Sequence, residues 1–239
     1  MKRIILICIT LLLPVTVFAE YKEALLQYQK ENYEKALEIC ADDLVVEDDM
    51  KEGSPNYKIR FLAAHIHWKL GNGESCIAHL KRCMDIKPEK TDPHVDLGLY
   101  LLDAKRYEDA IASARRGLTV KEDAMLYYVM ATAYRHLGNH WRAKELYEKT
   151  NQKDPEISLS YNGLGMALMK LKKYSEANAA FSIAHALAPD NPSILNNLAV
   201  SYQKSGKPSR ARTSFRRALE LDPDNKRIQA NMKDLTGKE

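Results

Sequence analysis

The chain has 239 residues, 45% hydrophobic and 28% charged, with a formal charge of +4, so it carries enough apolar surface for a sizeable core and is not a disordered chain. With only 10 glycines and 4 phenylalanines, the composition favours helices over sheets. The basic cluster Arg210, Arg212, Arg216 and Arg217 reads as a solvated face without a series of interleaved aromatic residues for base stacking, and nucleic acid is not expected as a partner.

Lys2 and Arg3 precede an apolar run from Ile4 to Leu13, and Val17-Phe18-Ala19 has the small-x-small pattern of a cleavage site. Residues 1–19 therefore read as a secretory signal peptide cleaved near Ala19. The apolar stretch is about 15 residues and Pro14 breaks it, short of the roughly 20 that a spanning helix needs. Cys8 follows Ile7 rather than a small residue, so lipidation there is not expected. The mature protein is expected to be periplasmic or secreted, and loss of Lys2 and Arg3 takes its charge to about +2.

Residues 20–50 read as a degenerate helical hairpin: a short helix to about Lys30, a turn at Glu31-Asn32, and a second helix carrying Tyr33, Ala36 and Cys40. An acidic run (Asp42, Asp43, Glu47, Asp48, Asp49, Glu52) then leads into residues 51–56, where Gly53, Ser54 and Pro55 predict a long, mobile loop. Downstream the spacing becomes regular. Cys76, Ala110, Ala143, Ala177 and Ala211 stand 34, 33, 34 and 34 residues apart, and Pro88, Pro155, Pro189 and Pro223 follow the same ruler, with Glu122 in the one remaining place.

Five units follow from that ruler. Residues 57–90 keep Ala64, Leu70-Gly71, Leu80 and Pro88 but have Arg60 and Ala63 where large apolar residues are expected. Residues 91–123 carry Leu97-Gly98, Leu101, Tyr107 and Ala110; residues 124–157 carry Tyr127, Met130-Ala131, Tyr134, Gly138, Ala143 and Tyr147. Residues 158–191 hold Tyr161, Leu164-Gly165, Leu168, Tyr174, Ala177, Phe181 and Ala184. In residues 192–225, Leu195, Leu198, Tyr202 and Phe215 are sized to fill the seam of two antiparallel helices, Ala199, Ala211 and Ala218 let the backbones approach, Gly206 permits a tight turn and Pro223 stops the second helix. Residues 226–239 place Ile228, Met232 and Leu235 on one helical face, as a cap over the last apolar surface would.

This pattern resembles the tetratricopeptide repeat family, most closely over the last three units. The resemblance implies an all-α fold: a right-handed α-solenoid of six helix–turn–helix hairpins plus a C-terminal capping helix. No nucleotide-binding glycine loop, nucleophile elbow or zinc-protease motif occurs, so neither catalysis nor a cofactor is expected. Cys76, His79 and Cys83 share one helix face, but positions 76 and 83 already have a packing role, and no metal is expected. Cys76 and Cys83 lie about 10.5 Å apart along one helix axis and cannot bridge each other. His65 and His67 point to different sides of their helix, and His136 and His140 flank a turn as surface histidines.

The family's first helices line a concave groove in which residues outside the seam contact extended peptides or a partner's helix. By position, these are Tyr128, Thr132 and Arg135, then Asn162, Met166 and Met169, then Asn196, Val200 and Gln203. Upstream the same face turns apolar, with Phe61, His65 and Trp68, then Val95, Leu99 and Leu102. The lysine–asparagine clamp with which chaperone-binding members hold a C-terminal carboxylate is missing, since Tyr128 and Thr132, or Asn162 and Met166, stand in its places. The resemblance thus implies a non-catalytic adaptor or scaffold of a cell-envelope complex such as a pilus, secretion or motor assembly, touching the membrane only through a partner or an uncleaved signal segment. Two alternatives remain: a building block self-associating through Phe61, Trp68 and Leu99, and a metal- or redox-dependent enzyme using Cys76, His79 and Cys83.

Overall fold

The computed structural model describes residues 20–44 and 56–237. The expected signal peptide at 1–19 and nearly all of the acidic loop lie outside these. The described residues form thirteen helices packed as sequential pairs, a tetratricopeptide-like solenoid: α1 (20–29), α2 (Tyr33–Leu44), α3 (Asn56–Lys69), α4 (Gly73–Ile86), α5 (Asp92–Asp103), α6 (Tyr107–Val120), α7 (Ala124–His136), α8 (His140–Lys153), α9 (Ser158–Lys170), α10 (Tyr174–Leu187), α11 (Pro192–Lys204), α12 (Pro208–Leu221) and α13 (Lys226–Thr236). They divide into two compact units, one of residues up to Tyr100 with Thr119–Lys121, the other of Leu101–Leu118 with the residues from Glu122 on.

Local chemistry sets where the helices start and turn. The Asn139 and Asn225 side chains accept hydrogen bonds from the Arg142 and Ile228 backbone N–H groups at 3.1 and 3.2 Å, and Asn191 accepts from those of Ser193 and Ile194 just ahead of Pro192. Each side chain satisfies donors that the first turn of a helix leaves without a partner. Between the paired helices the chain passes through the left-handed region, at Gly138 (φ 82°) and Gly206 (φ 72°) but also at Lys105 (φ 58°) and Lys172 (φ 60°).

In the first unit, Ile59, Leu62 and Ile66 of α3 pack with Ala24, Ala36 and Cys40. Arg60 and Ala63 stand where large residues are expected, and the packing falls to Ile59 and Leu62 beside them, at the repeat positions that Leu126 and Val129 fill in α7, while Ala63 (0% exposed) is buried as a small residue. In the second unit, Phe181 lies so close to α9 that a Cβ at Gly165 would sit 2.6 Å from its ring, and Tyr147 crowds Gly163 in the same way. Leu195, Ala199, Ala211, Phe215 and Ala218 form the last seam, which Ile228 and Leu235 of α13 close from the far side.

Ala199 is fully buried, so Ala199→Leu is expected to overpack this seam and lower stability by about 1–3 kcal/mol. Thermal unfolding measures it; an unchanged Tm would mean that the helices do not close on that residue.

Candidate functional site

In the first unit an aromatic stripe runs along α3. Tyr57 stacks on Phe61 (ring centroids 5.8 Å apart), Phe61 meets His65 edge-on at 4.9 Å, and His65 stacks on Trp68 at 6.4 Å. Trp68 in turn meets Tyr100 of α5 edge-on at 5.7 Å, and His65 Nε2 lies 2.9 Å from the Asp96 carboxylate. Phe61, His65, Trp68 and Leu99 are half-buried, as is Leu102 further along α5. Val95 does not belong with them: it is 9% exposed, a core residue of α5 rather than a surface one. Tyr57 and Tyr100, which the repeat pattern did not single out, complete the stripe.

In the second unit the same helical face carries two polar networks. Around α7 the Tyr147 hydroxyl, brought through from α8, lies 3.0 Å from Thr132 Oγ1 and accepts from Arg135 Nε at 3.3 Å, and the Tyr128 ring sits 6.1 Å from the Tyr147 ring. Tyr147 is 1% exposed, so its ring fills the core while its hydroxyl holds Thr132 and Arg135 in place. The second network is a chain of asparagines from α13 to α9: Asn231 Nδ2 donates to Asn196 Oδ1 at 2.8 Å, Asn196 Nδ2 to Asn197 Oδ1 at 3.4 Å, and Asn197 Nδ2 to Asn162 Oδ1 at 3.0 Å. Asn162 Nδ2 then points at Met166 Sδ, 3.9 Å away.

Burial within that chain corrects the expected surface. Asn196 is 2% exposed, because α13 covers it and Asn231 takes its carbonyl; the half-buried amides are those of Asn162, Asn197 and Asn231. Met166, Met169, Val200 and Gln203 are half-buried as well, with Val200 against the last seam and Gln203 Nε2 donating to Asp234 at 3.2 Å. The signal that would have found Asn197 and Asn231 is an offset: both inter-helix amide bonds join residues 35 apart, one more than the repeat length.

Cys76 and Cys83 are fully buried thiols. Burial pushes the Cys76 thiol up to about 11, and the Cys83 thiol faces the Tyr57 carbonyl at 3.8 Å. His79 stacks instead on His67, with ring centroids 5.3 Å apart and planes 15° from parallel. Among the described residues, no three His, Cys, Asp or Glu side chains are grouped to hold a metal ion. Burial, with His67 and Arg60 adding to it, lowers the His79 imidazole to about 4. His136, beside the α7–α8 turn, stacks on Tyr107 at 4.9 Å.

Tetratricopeptide repeat family models match residues 57–90, 128–192 and 168–235. A sequence search among curated proteins gave no match. Among solved structures the chain is similar to PilW, a widely conserved type IV pilus biogenesis factor (14% identity, 90% of this chain and 97% of that one, TM-score 0.76). It is similar as well to YrrB, a TPR protein with an unusual peptide-binding site (16% identity, 84% and 97%, TM-score 0.60). A third likeness, to the APC/C hetero-tetramer Cut9-Hcn1, covers 92% of this chain but 42% of that one, at 14% identity and TM-score 0.76. At these identities the likeness is one of fold.

The stacked histidines make stability depend on pH. His79 titrates lower in the folded chain than its ordinary 6.5, so between those values the unfolded state binds more protons and stability rises with pH. Its contribution is complete above about pH 6.5 and is lost as the pH falls toward 4. The Tm is therefore expected to drop between about pH 7.5 and about pH 5, and to drop less in His79→Leu; equal slopes for the two proteins would remove His79 as the cause.

Proposed function

We propose that this chain, which is a tetratricopeptide repeat protein, acts as a non-catalytic adaptor in a cell-envelope complex, holding an extended partner segment across α7, α9 and α11. The observation that carries this reading is the run of half-buried, pre-oriented polar groups along those helices: Thr132 and Arg135 on the Tyr147 hydroxyl, then Asn162 and Asn197 joined at 3.0 Å. An asparagine amide has two donors and an acceptor of two lone pairs. After bonding its neighbour, each amide keeps capacity for a backbone N–H or C=O of the partner. Met166 and Met169 add adaptable apolar contact beside them.

The envelope setting draws its support from the signal-like first nineteen residues and from the fold shared with a pilus biogenesis factor. The peptide-binding site named for YrrB supports a segment, rather than a folded domain, as the occupant. A second reading has its own observation. The half-buried aromatic stripe of α3 is the kind of surface that a second copy could cover, which would make the protein a self-associating building block. A protein that runs as a monomer at all concentrations in light scattering would remove that reading.

For the main proposal, a partner captured from the envelope fraction is expected to bind Asn162→Ala/Asn197→Ala about tenfold or more weakly, since two hydrogen-bonding amides are lost at roughly 1 kcal/mol each. Circular dichroism should report unchanged helix content. Equal affinity for the double variant would place the partner on another surface.

A further inference from the structure

In the second unit, the turns joining the two helices of each pair lie side by side along one edge. His136 of the α7–α8 turn stacks on Tyr107 of the α5–α6 pair at 4.9 Å. Lys173 of the α9–α10 turn lies over the Trp141 ring at 5.5 Å. Ser205 of the α11–α12 turn accepts a hydrogen bond from Asn178 of α10 at 3.0 Å. The contacts therefore step from turn to turn along the edge.

This edge is cationic. Arg142 and Lys173 are each paired with a carboxylate on their own helix, Glu145 at 2.7 Å and Glu176 at 3.0 Å. Lys170, Lys172, Lys204 and Lys207 have no carboxylate within salt-bridge distance among the described residues. The opposite ends of the same helices lean to the reverse sign, with Glu122, Asp123, Asp154, Glu156, Asp190, Asp222 and Asp224 in or beside the loops between pairs against Lys121, Lys153, Lys226 and Arg227, the Lys153–Glu122 pair and Arg217, 4.0 Å from Asp190, relieving part of it. The unit is thus electrically two-sided across helices about 20 Å long.

Amid the cations stands Trp141, 60% exposed, with Leu137 at 42% one turn away across the α7–α8 connection. Among the described residues Trp141 is the most exposed of the large apolar side chains, and Lys173 lies over its face. Lys172 adds a second observation. Its backbone is left-handed, φ 60°, at the place where the neighbouring turns have Gly138 and Gly206. A lysine is held there against the backbone's preference for glycine.

We propose that this edge docks on an anionic phospholipid surface, with the lysines at the headgroups and Trp141 and Leu137 entering the interface. Charge complementarity favours that occupant: turn tips in a row offer point charges and one indole to a planar anionic layer, whereas a folded acidic partner calls for a concave, shape-matched patch. A nucleic acid would call for a series of aromatic platforms, and the edge offers one exposed indole, with the His136 ring already stacked on Tyr107. The first-helix face proposed for the partner segment is left open in this arrangement, so the two readings stand or fall separately. The sequence predicts membrane association only through a partner or a signal segment; the turn edge adds a direct route.

The test is co-sedimentation of the purified protein with vesicles of phosphatidylglycerol and phosphatidylcholine, compared with phosphatidylcholine alone. The protein is expected to bind the anionic vesicles, to be released by salt, and to show a blue-shifted indole emission that Trp141→Phe lacks. Lys170→Glu/Lys172→Glu should lower the partition at least tenfold. Lys172→Gly relieves the left-handed lysine, so its Tm should hold or rise while its partition falls about fivefold; loss of binding there cannot be loss of fold. Equal binding to neutral vesicles, full binding by the double Glu variant, or binding to soluble polyglutamate with none to vesicles would each overturn the proposal.

Discussion

The closeness of paired helices is the constraint on which the rest depends. Two antiparallel helices bury their seam only if their backbones approach, and that distance is set by residues no larger than alanine: Ala199, Ala211 and Ala218 in the last full pair, Gly165 beneath Phe181 in the pair before. Once the seam is fixed, the orientation of each helix about its own axis is fixed too. Which side chains reach the open face of α7, α9 and α11 is then a consequence of packing rather than a separate property of the sequence.

The seam was legible because it repeats. Ala199, Ala211, Phe215 and Ala218 are all fully buried, as a 34-residue pattern of large and small residues requires. The places where reading by position failed share one physical cause. On α5, Val95 falls in the core rather than on the open face, at 9% exposed. In α11 the half-buried amide is Asn197 and the buried one Asn196, because α13 covers one and not the other. One position on a helix is a rotation of about 100°, enough to move a side chain from surface to core. What decides between the two is the neighbouring helix, which a single unit's sequence does not contain.

Tyr147 shows how core and site are joined. Its ring is a seam filler that the pattern anticipates, and the sequence gives no sign that its hydroxyl ends among Thr132 and Arg135. A buried hydroxyl with partners on two groups of the open face restricts their rotamers before any partner arrives, which reduces the entropy lost on binding. The asparagine chain does the same between helices. Its bonds are internal, so their worth lies less in stability than in holding amides where a partner's backbone would find them.

Because α9 touches α7 and α11, and α11 touches α13, the amide pairs recur with the helix-to-helix step of this unit, about 10 Å. An extended segment in the polyproline II conformation advances about 3.1 Å per residue with three residues per turn. Such a segment laid across these helices comes into register with a fresh pair about every third residue, and a side chain pointing toward one helix has its counterpart three residues on at the next. The partner's recognition motif would then show itself as a period of three in its own sequence, a rhythm imposed by helix spacing and independent of which side chains happen to be chosen.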